Sequence, residues 1–276
     1  MAVKKIQALS GIDNRQEDAA LETEQQTFVR DAVNIDFTET GRIKIRDGIQ
    51  QLSQIPFREL WQSSLHGDCF AAFGHDWVKV DPVSWDYEVL INGIVSGKIY
   101  HQVLNNQVLM CCDSGLYLYD GQVAQPLCLN TPAPPMPSLN GDGSILKGEY
   151  SVAISWLRGG QESALSESFK INVIAQTSLS INFPLCLDDQ VTHVRLYMTD
   201  QNGGELRQVQ DYPVSQLSTQ LSTMPQLGRA ATYQHLSAMR PGQYLKLWRG
   251  RLLTVQRNVL YFSEPMAFHL TDERYN

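Results

Sequence analysis

Val108–Asp120, VLMCCDSGLYLYD, reads as two short β-strands joined by a tight turn. Val108 to Cys112 is an apolar run. Asp113, Ser114 and Gly115 supply turn chemistry, because Asp and Ser side chains bond nearby backbone and Gly accepts positive φ without steric cost. Leu116 to Tyr119 then resumes with residues that suit a pleated, half-buried surface. The pattern recurs. Residues 69–81, CFAAFGHDWVKVD, align with it without a gap, Phe73 matching Cys112 and Asp81 matching Asp120. Leu252–Ser263, LLTVQRNVLYFS, is a copy shortened at its Arg257-Asn258 turn, and Val33–Arg46, VNIDFTETGRIKIR, is a looser one turning at Thr38–Gly41. Hairpins repeated at intervals of about 40 residues are the signature of propeller blades or a related β-array.

The 276 residues suffice for one large or two modest domains, and 43% hydrophobic with 18% charged residues is a globular composition. No apolar run reaches the roughly 20 residues that span a bilayer. MAVKKIQALSGIDNRQED has two lysines but no apolar stretch after them, so it is not a secretory signal. The five cysteines lack metal-ligand spacing and read as reduced thiols of a protein folded in cytosol. Adjacent Cys111 and Cys112 should point to opposite faces of one strand. A net charge of −7 argues against gripping nucleic acid by its phosphates and suits a surface past which DNA slides.

In chain order, residues 1–32 read as an extended arm with at most one short helix. Residues 33–131 carry the blade-like hairpins, with about four strands per 40 residues. Pro132–Pro137, PAPPMP, is a stiff linker. Residues 138–225 follow another plan: YSVAISW (150–156), 169–174, 179–183 and VTHVRLYM (191–198) alternate between turns, as in a small β-sandwich. The hairpin pattern returns in residues 226–276. The predicted fold is therefore all-β, propeller-type blades interrupted by an inserted sandwich.

The insert resembles an immunoglobulin-like fibronectin type III domain in Gly148-Glu149-Tyr150 opening the strand to Trp156, in Gly160–Glu167 (GQESALSE), and in Val194–Thr199 (VRLYMT). The whole chain resembles tailed-bacteriophage virion proteins of the tail-nozzle and packaged-DNA-stabilisation type. The residues that carry this are Gly11–Arg15 (GIDNR), Arg30–Asp36 (RDAVNID), Thr40–Gly48 (TGRIKIRDG), the blade hairpins with their inserted sandwich, and Arg249–Leu252 (RGRL) leading to Val259–Pro265 (VLYFSEP). The resemblance implies a propeller-based structural subunit, not an enzyme, in a homo-oligomeric ring of the tail, nozzle or head–tail junction. Its partners would be portal, adaptor or tail proteins, with DNA passing through unspecifically during ejection. Its place would be the virion, after synthesis in the host bacterial cytoplasm. Such proteins often continue well past the Phe-Ser-Glu-Pro hairpin, so this chain is expected to hold part of a propeller that a partner or adjacent subunit completes.

Candidate sites are few. Arg42, Arg46, Arg249 and Arg251 stand at hairpin edges, where they can face a neighbouring subunit or keep edge strands from pairing. His66, His75, His101, His193, His235 and His269 show no ligand spacing, so no metal and no cofactor are expected. Asn140–Ser144, NGDGS, begins like a calcium loop, but its twelfth position is Ser151 where a bidentate Glu is required. Asp188-Asp189 reads as a turn starter rather than an acid–base pair. Trp61, Trp77, Trp85, Trp156 and Trp248 all fall in or beside alternating strands and read as core. An alternative function, a receptor- or carbohydrate-binding protein of the tail tip, would need some of those rings exposed. A glycan-cleaving enzyme is disfavoured, because no motif places paired carboxylates.

Overall fold

A computed structural model describes residues 8–23, 26–63, 67–272 and 274–275. It is nearly all β, in small antiparallel sheets whose open arrangement is that of propeller-like blades. No helix among the described residues is long and apolar enough to cross a membrane. The chain divides into two compact units, Met1–Gln54 and Ile55–Asn276.

In the first unit, β1 (Gly11–Ile12) pairs in parallel with β2 (Phe28–Val29), and Asp18–Ala20 forms one 3-10 turn. β3 (Ile35–Phe37) and β4 (Ile43–Ile45) make the hairpin read at 33–46, with Phe37 opposite Ile43. This hairpin forms a sheet of two strands and belongs to the first unit, so the compact division falls after Gln54 rather than at residue 32. Ile43 and Ile45 are exposed despite their alternation. Two strands alone bury too little surface to cover a face.

The second unit opens with an antiparallel meander, the first blade: β5 (Arg58–Gln62), β6 (Cys69–Phe73), β7 (Asp76–Val80) and β8 (Tyr87–Ile91). The second blade repeats it with β9 (Tyr100–Leu104), β10 (Gln107–Cys112), β11 (Gly115–Tyr119) and β12 (Ala124–Pro126). Phe73 pairs with Asp76 across Gly74-His75, and Cys112 with Gly115 across Asp113-Ser114. The β9–β10 turn is Asn105-Asn106, both at positive φ, the mirror-image turn whose twist matches that of the strands it joins. β10 reads as a continuous apolar run because both of its faces are covered. Val108, Met110 and Cys112 pack with Phe70, Ala72 and Trp77 of the first blade. Leu109 and Cys111 pack the other way, with Leu245, Leu252 and Phe268. The two adjacent cysteines thus point apart.

Between the blades the chain builds a two-sheet module from β13 (Met136–Leu139), β14 (Gly148–Arg158), β15 (Gln161–Glu162), β16 (Phe169–Val173), β17 (Leu179–Asn182), β18 (His193–Met198), β19 (Arg207–Pro213) and β20 (Ser218–Leu221). One sheet runs β13-β17-β20. In the other, β14 pairs with β15 and β16 as well as with β18, which pairs with β19. Tyr150, Val152, Ile154 and Trp156 on one face of β14 meet Leu179 and Ile181 of the opposite sheet in a common core. The alternating residues Ala153 and Ser155 face away and are also buried, so β14 has cover on both sides.

The third blade has β21 (Ser237–Ala238), β22 (Gln243–Trp248), β23 (Arg251–Gln256), β24 (Val259–Glu264) and β25 (Ala267–Thr271), in the order β21-β25-β24-β23-β22. It is stitched to the second where the Cys111 thiol donates to the Gly242 carbonyl (2.9 Å) and accepts from the Gly242 N–H (3.2 Å). Burial pushes that thiol up to about 12, so it packs and bonds as a neutral group. A Cβ at Gly242 would fall onto the Val255 carbonyl. Gly242→Ala should therefore cost roughly 2 kcal/mol of stability, read as an earlier thermal transition. An unchanged melt would show that β23 yields easily beside Gly242.

Candidate interaction surface on the third blade

The strand register fixes which side chains share the outer face of the third blade. Leu247 pairs with Leu252, and both pack toward the second blade. The alternating positions Lys246, Leu253 and Phe262, aligned across β22, β23 and β24, therefore form a row on the opposite face. Trp248 and Arg251 form the next pair, and Val255 with Leu260 the one beyond. Trp248 is 55% exposed and Leu260 52%, while Leu253, Val255 and Phe262 are half-buried. Trp248 is thus not in the core. Alternation shows that a strand has two unlike faces, and here the outward one carries the ring.

The four arginines singled out above behave differently from one another. Arg46, just after β4, pairs with Asp36 of β3 at 2.8 Å, and that hydrogen bond holds the exposed Asp36 carboxyl below its ordinary value. Arg42 is exposed beside the same hairpin, where its N–H donates to the Thr38 hydroxyl at 3.1 Å. Both lie in the first unit. Arg251 is anchored within the third blade, donating to the Ser263 carbonyl at 2.7 Å with its guanidinium over Phe262. Arg249, in the β22–β23 turn, lies 4.7 Å over the exposed Trp248 ring. The structure therefore brings Arg249 and Arg251 together around Trp248. Lys246 joins them, a residue the sequence reading passed over. The signal was available: Tyr212 to Ser263 contains no Asp or Glu, yet holds Arg229, Arg240, Lys246, Arg249, Arg251 and Arg257.

The densest polar cluster lies elsewhere, on the outer face of the β14–β18 sheet. The Glu162 carboxylate accepts from Ser155 Oγ (2.6 Å), from the Tyr197 hydroxyl (2.5 Å) and from Arg195 (2.8 Å). Arg195 also grips both oxygens of Asp211, at 2.7 and 2.8 Å. That grip holds Asp211 below the usual carboxylate range, and burial raises the Tyr197 phenol. Both carboxylates and the guanidinium are committed to one another, so the cluster works as a clamp on the sheet. It also ties the module to the third blade, since His269 Nε2 donates to the Glu162 carbonyl at 2.9 Å. Arg158 and Gln161 reach back to the end of the second blade, both donating to the Leu127 carbonyl.

The remaining candidates resolve into turns and packing. Asp188 Oδ1 accepts from the Gln190 N–H, closing a turn. In the NGDGS loop the Gly141 carbonyl accepts from the Thr177 hydroxyl and the Ser178 N–H, which ties the loop to the residues just ahead of β17. Among the described residues no three His, Cys, Asp or Glu side chains gather as a metal site would require. His66 lies outside the described residues. His193 is exposed, and His101 is half-buried, its ring against Trp61 and Trp77. Trp77 and Trp156 are core residues, while Trp61 and Trp85 are half-buried. Compared with protein families, with curated proteins and with solved structures, the chain gives no match.

Proposed function

We propose that the chain is a non-enzymatic structural protein of a tailed-phage virion, a ring subunit of the nozzle, tail or head–tail junction that helps to enclose the DNA path. One observation carries the reading. Consecutive antiparallel sheets stack face to face, a two-sheet module is spliced between the second and third, and the last sheet keeps an outer apolar face half-exposed. Stacked blades that leave a face uncovered need a neighbour, and portal, adaptor or other tail proteins and further copies of the chain are the partners this role supplies. The net charge of −7 limits adhesion of passing DNA. A second reading, a receptor- or carbohydrate-binding protein of the tail tip, draws on the exposed Trp248 ring. It predicts glycan binding that Trp248→Ala abolishes.

Mass photometry of the purified protein followed by negative-stain imaging tests the first reading, with a ring around a central opening as the expected particle. A strict monomer that joins no virion fraction would count against it. Binding on a glycan panel by such a monomer would favour the second.

A further inference from the structure

We infer that the Trp248 end of the third blade's outer face binds an acidic polysaccharide, one that carries carboxylate groups on its sugars. The inference rests on the second reading, carbohydrate binding at that ring, and names the chemical class of the ligand.

Three cations surround Trp248. Arg249 follows it in the chain and lies 4.7 Å over the ring. Arg251 stands opposite it in the strand register, and Lys246 precedes it by two residues on the same face. The indole is 55% exposed, with Lys246 and Arg249 exposed beside it. A large, rigid ring of this kind offers the flat apolar surface on which the C–H face of a sugar stacks. A guanidinium holds its N–H donors in one plane and grips a carboxylate through two of them at once. Arg251 is already set in place, donating to the Ser263 carbonyl at 2.7 Å and resting 5.2 Å over Phe262.

The charge of the ligand follows from what these cations lack. Elsewhere Arg46, Lys79, Lys170, Arg195 and Arg207 each meet a carboxylate of this chain. Among the described residues Lys246 and Arg249 meet none, and residues 212–263 contain no Asp or Glu. Glu264 lies 3.9 Å from Arg251. A neutral sugar, which donates through every hydroxyl, finds few strong acceptors here. A uronate brings its own negative charge to a surface of donors. Nucleic acid brings charge too, but it is held by cations spread along a strand, whereas these crowd around one ring in a chain of net charge −7. Val255 and Leu260 lie toward the other end of the same strands, which leaves that part of the face to a neighbouring subunit.

Polygalacturonate, and the same polymer with its carboxyls methyl-esterified, separate charge from sugar. The full chain should bind the first with an affinity that falls as NaCl rises, and the ester about 10-fold more weakly or worse. Lys246→Glu with Arg249→Glu should weaken binding of polygalacturonate about 100-fold, and Trp248→Ala about 10-fold. Lys147→Glu, exposed on the inserted module, should leave it unchanged. Thermal melts establish that each variant folds, and the Gln versions replace any Glu variant that does not. Equal binding of polymer and ester overturns the acidic class while carbohydrate recognition at Trp248 stands. Binding of neither, or binding that the Trp248 and double variants retain in full, overturns the inference. A panel of neutral glycans then decides separately whether the second reading falls with it. Oligothymidylate bound as tightly as polygalacturonate through the same residues would make this a general polyanion surface, which also overturns the inference.

Discussion

Arg195→Ala is expected to lower the melting temperature by about 10 °C, the equivalent of roughly 3–5 kcal/mol in a unit of this size. The reason is an asymmetry. A buried ion pair contributes little net stability, because desolvation offsets most of the attraction, but removing one partner leaves the other charge buried and unmatched. Glu162 has a side chain 9% exposed and Arg195 one 24% exposed, so water cannot readily take the place of the guanidinium. Asp211, at 32%, is better placed to recover hydration, which makes Glu162 the costlier orphan. Arg195→Lys keeps a positive charge but gives up the planar fork that reaches Asp211 through Nε and NH2 and Glu162 through NH1. It should fall between wild type and alanine. Glu162→Gln can still accept from Ser155 and Tyr197, yet turns an amide N–H toward the Arg195 N–H, and should approach the alanine value. Scanning calorimetry reads all three. A shift below about 2 °C for Arg195→Ala would mean that the cluster is hydrated and is not what clamps the sheet.

That cluster was invisible in the sequence, and its invisibility has a physical cause. Ser155, Glu162, Arg195 and Tyr197 come from three strands, with Glu162 and Arg195 33 positions apart, and no local pattern links them. The hairpins were legible because their determinants are local. Asp113-Ser114 and Arg257-Asn258 turn the chain where their residue types indicate, and period-two alternation places Cys111 and Cys112 on opposite faces. Alternation does not say which face has a partner. Ile43, Ile45 and Trp248 follow the pattern of buried residues and stand exposed, because cover depends on what packs beyond the sheet. The parallel pair β1–β2 escaped for the same reason as the clamp: two residues at each end of a 15-residue loop carry no periodicity to read. Of the interface candidates, Arg249 was readable from its hairpin edge. Lys246 required the register that puts it in line with Leu253 and Phe262.

Acidification should open the seam between the first and second blades before it unfolds the rest. His101 lies in that seam, its ring stacked on Trp61 at 5.1 Å, with Nε2 accepting from the Trp77 indole N–H at 3.1 Å. The neutral ring then carries its proton on Nδ1, a buried atom with no hydrogen-bond partner. Burial pushes the ring from its ordinary 6.5 down to about 3. In the unfolded chain His101 binds a proton below pH 6.5, whereas the folded protein refuses it until about pH 3, so the unfolded state gains protons throughout that window. Stability is therefore full above pH 6.5 and falls with acid at about 1.4 kcal/mol per pH unit, reaching a loss of about 2 kcal/mol at pH 5 and about 5 near pH 3. A cation among aromatic rings recovers about 2 kcal/mol, less than its desolvation costs. His269, also lowered chiefly by burial, adds a loss of the same sign. Carboxylates such as Asp211, held below their ordinary values, lose their contribution only at pH lower still, which leaves pH 7 to 5 as a histidine window. His101→Gln keeps an acceptor for the Trp77 indole and removes the proton, so its stability should vary much less between pH 7 and 5, with His269→Gln removing the remainder. Denaturant melts followed by tryptophan fluorescence and by far-ultraviolet circular dichroism distinguish a seam that opens first from a single global transition. If His101→Gln retains the full acid slope of the wild type, the buried ring is not the origin of the loss, and the seam must be wet enough to hold an imidazolium.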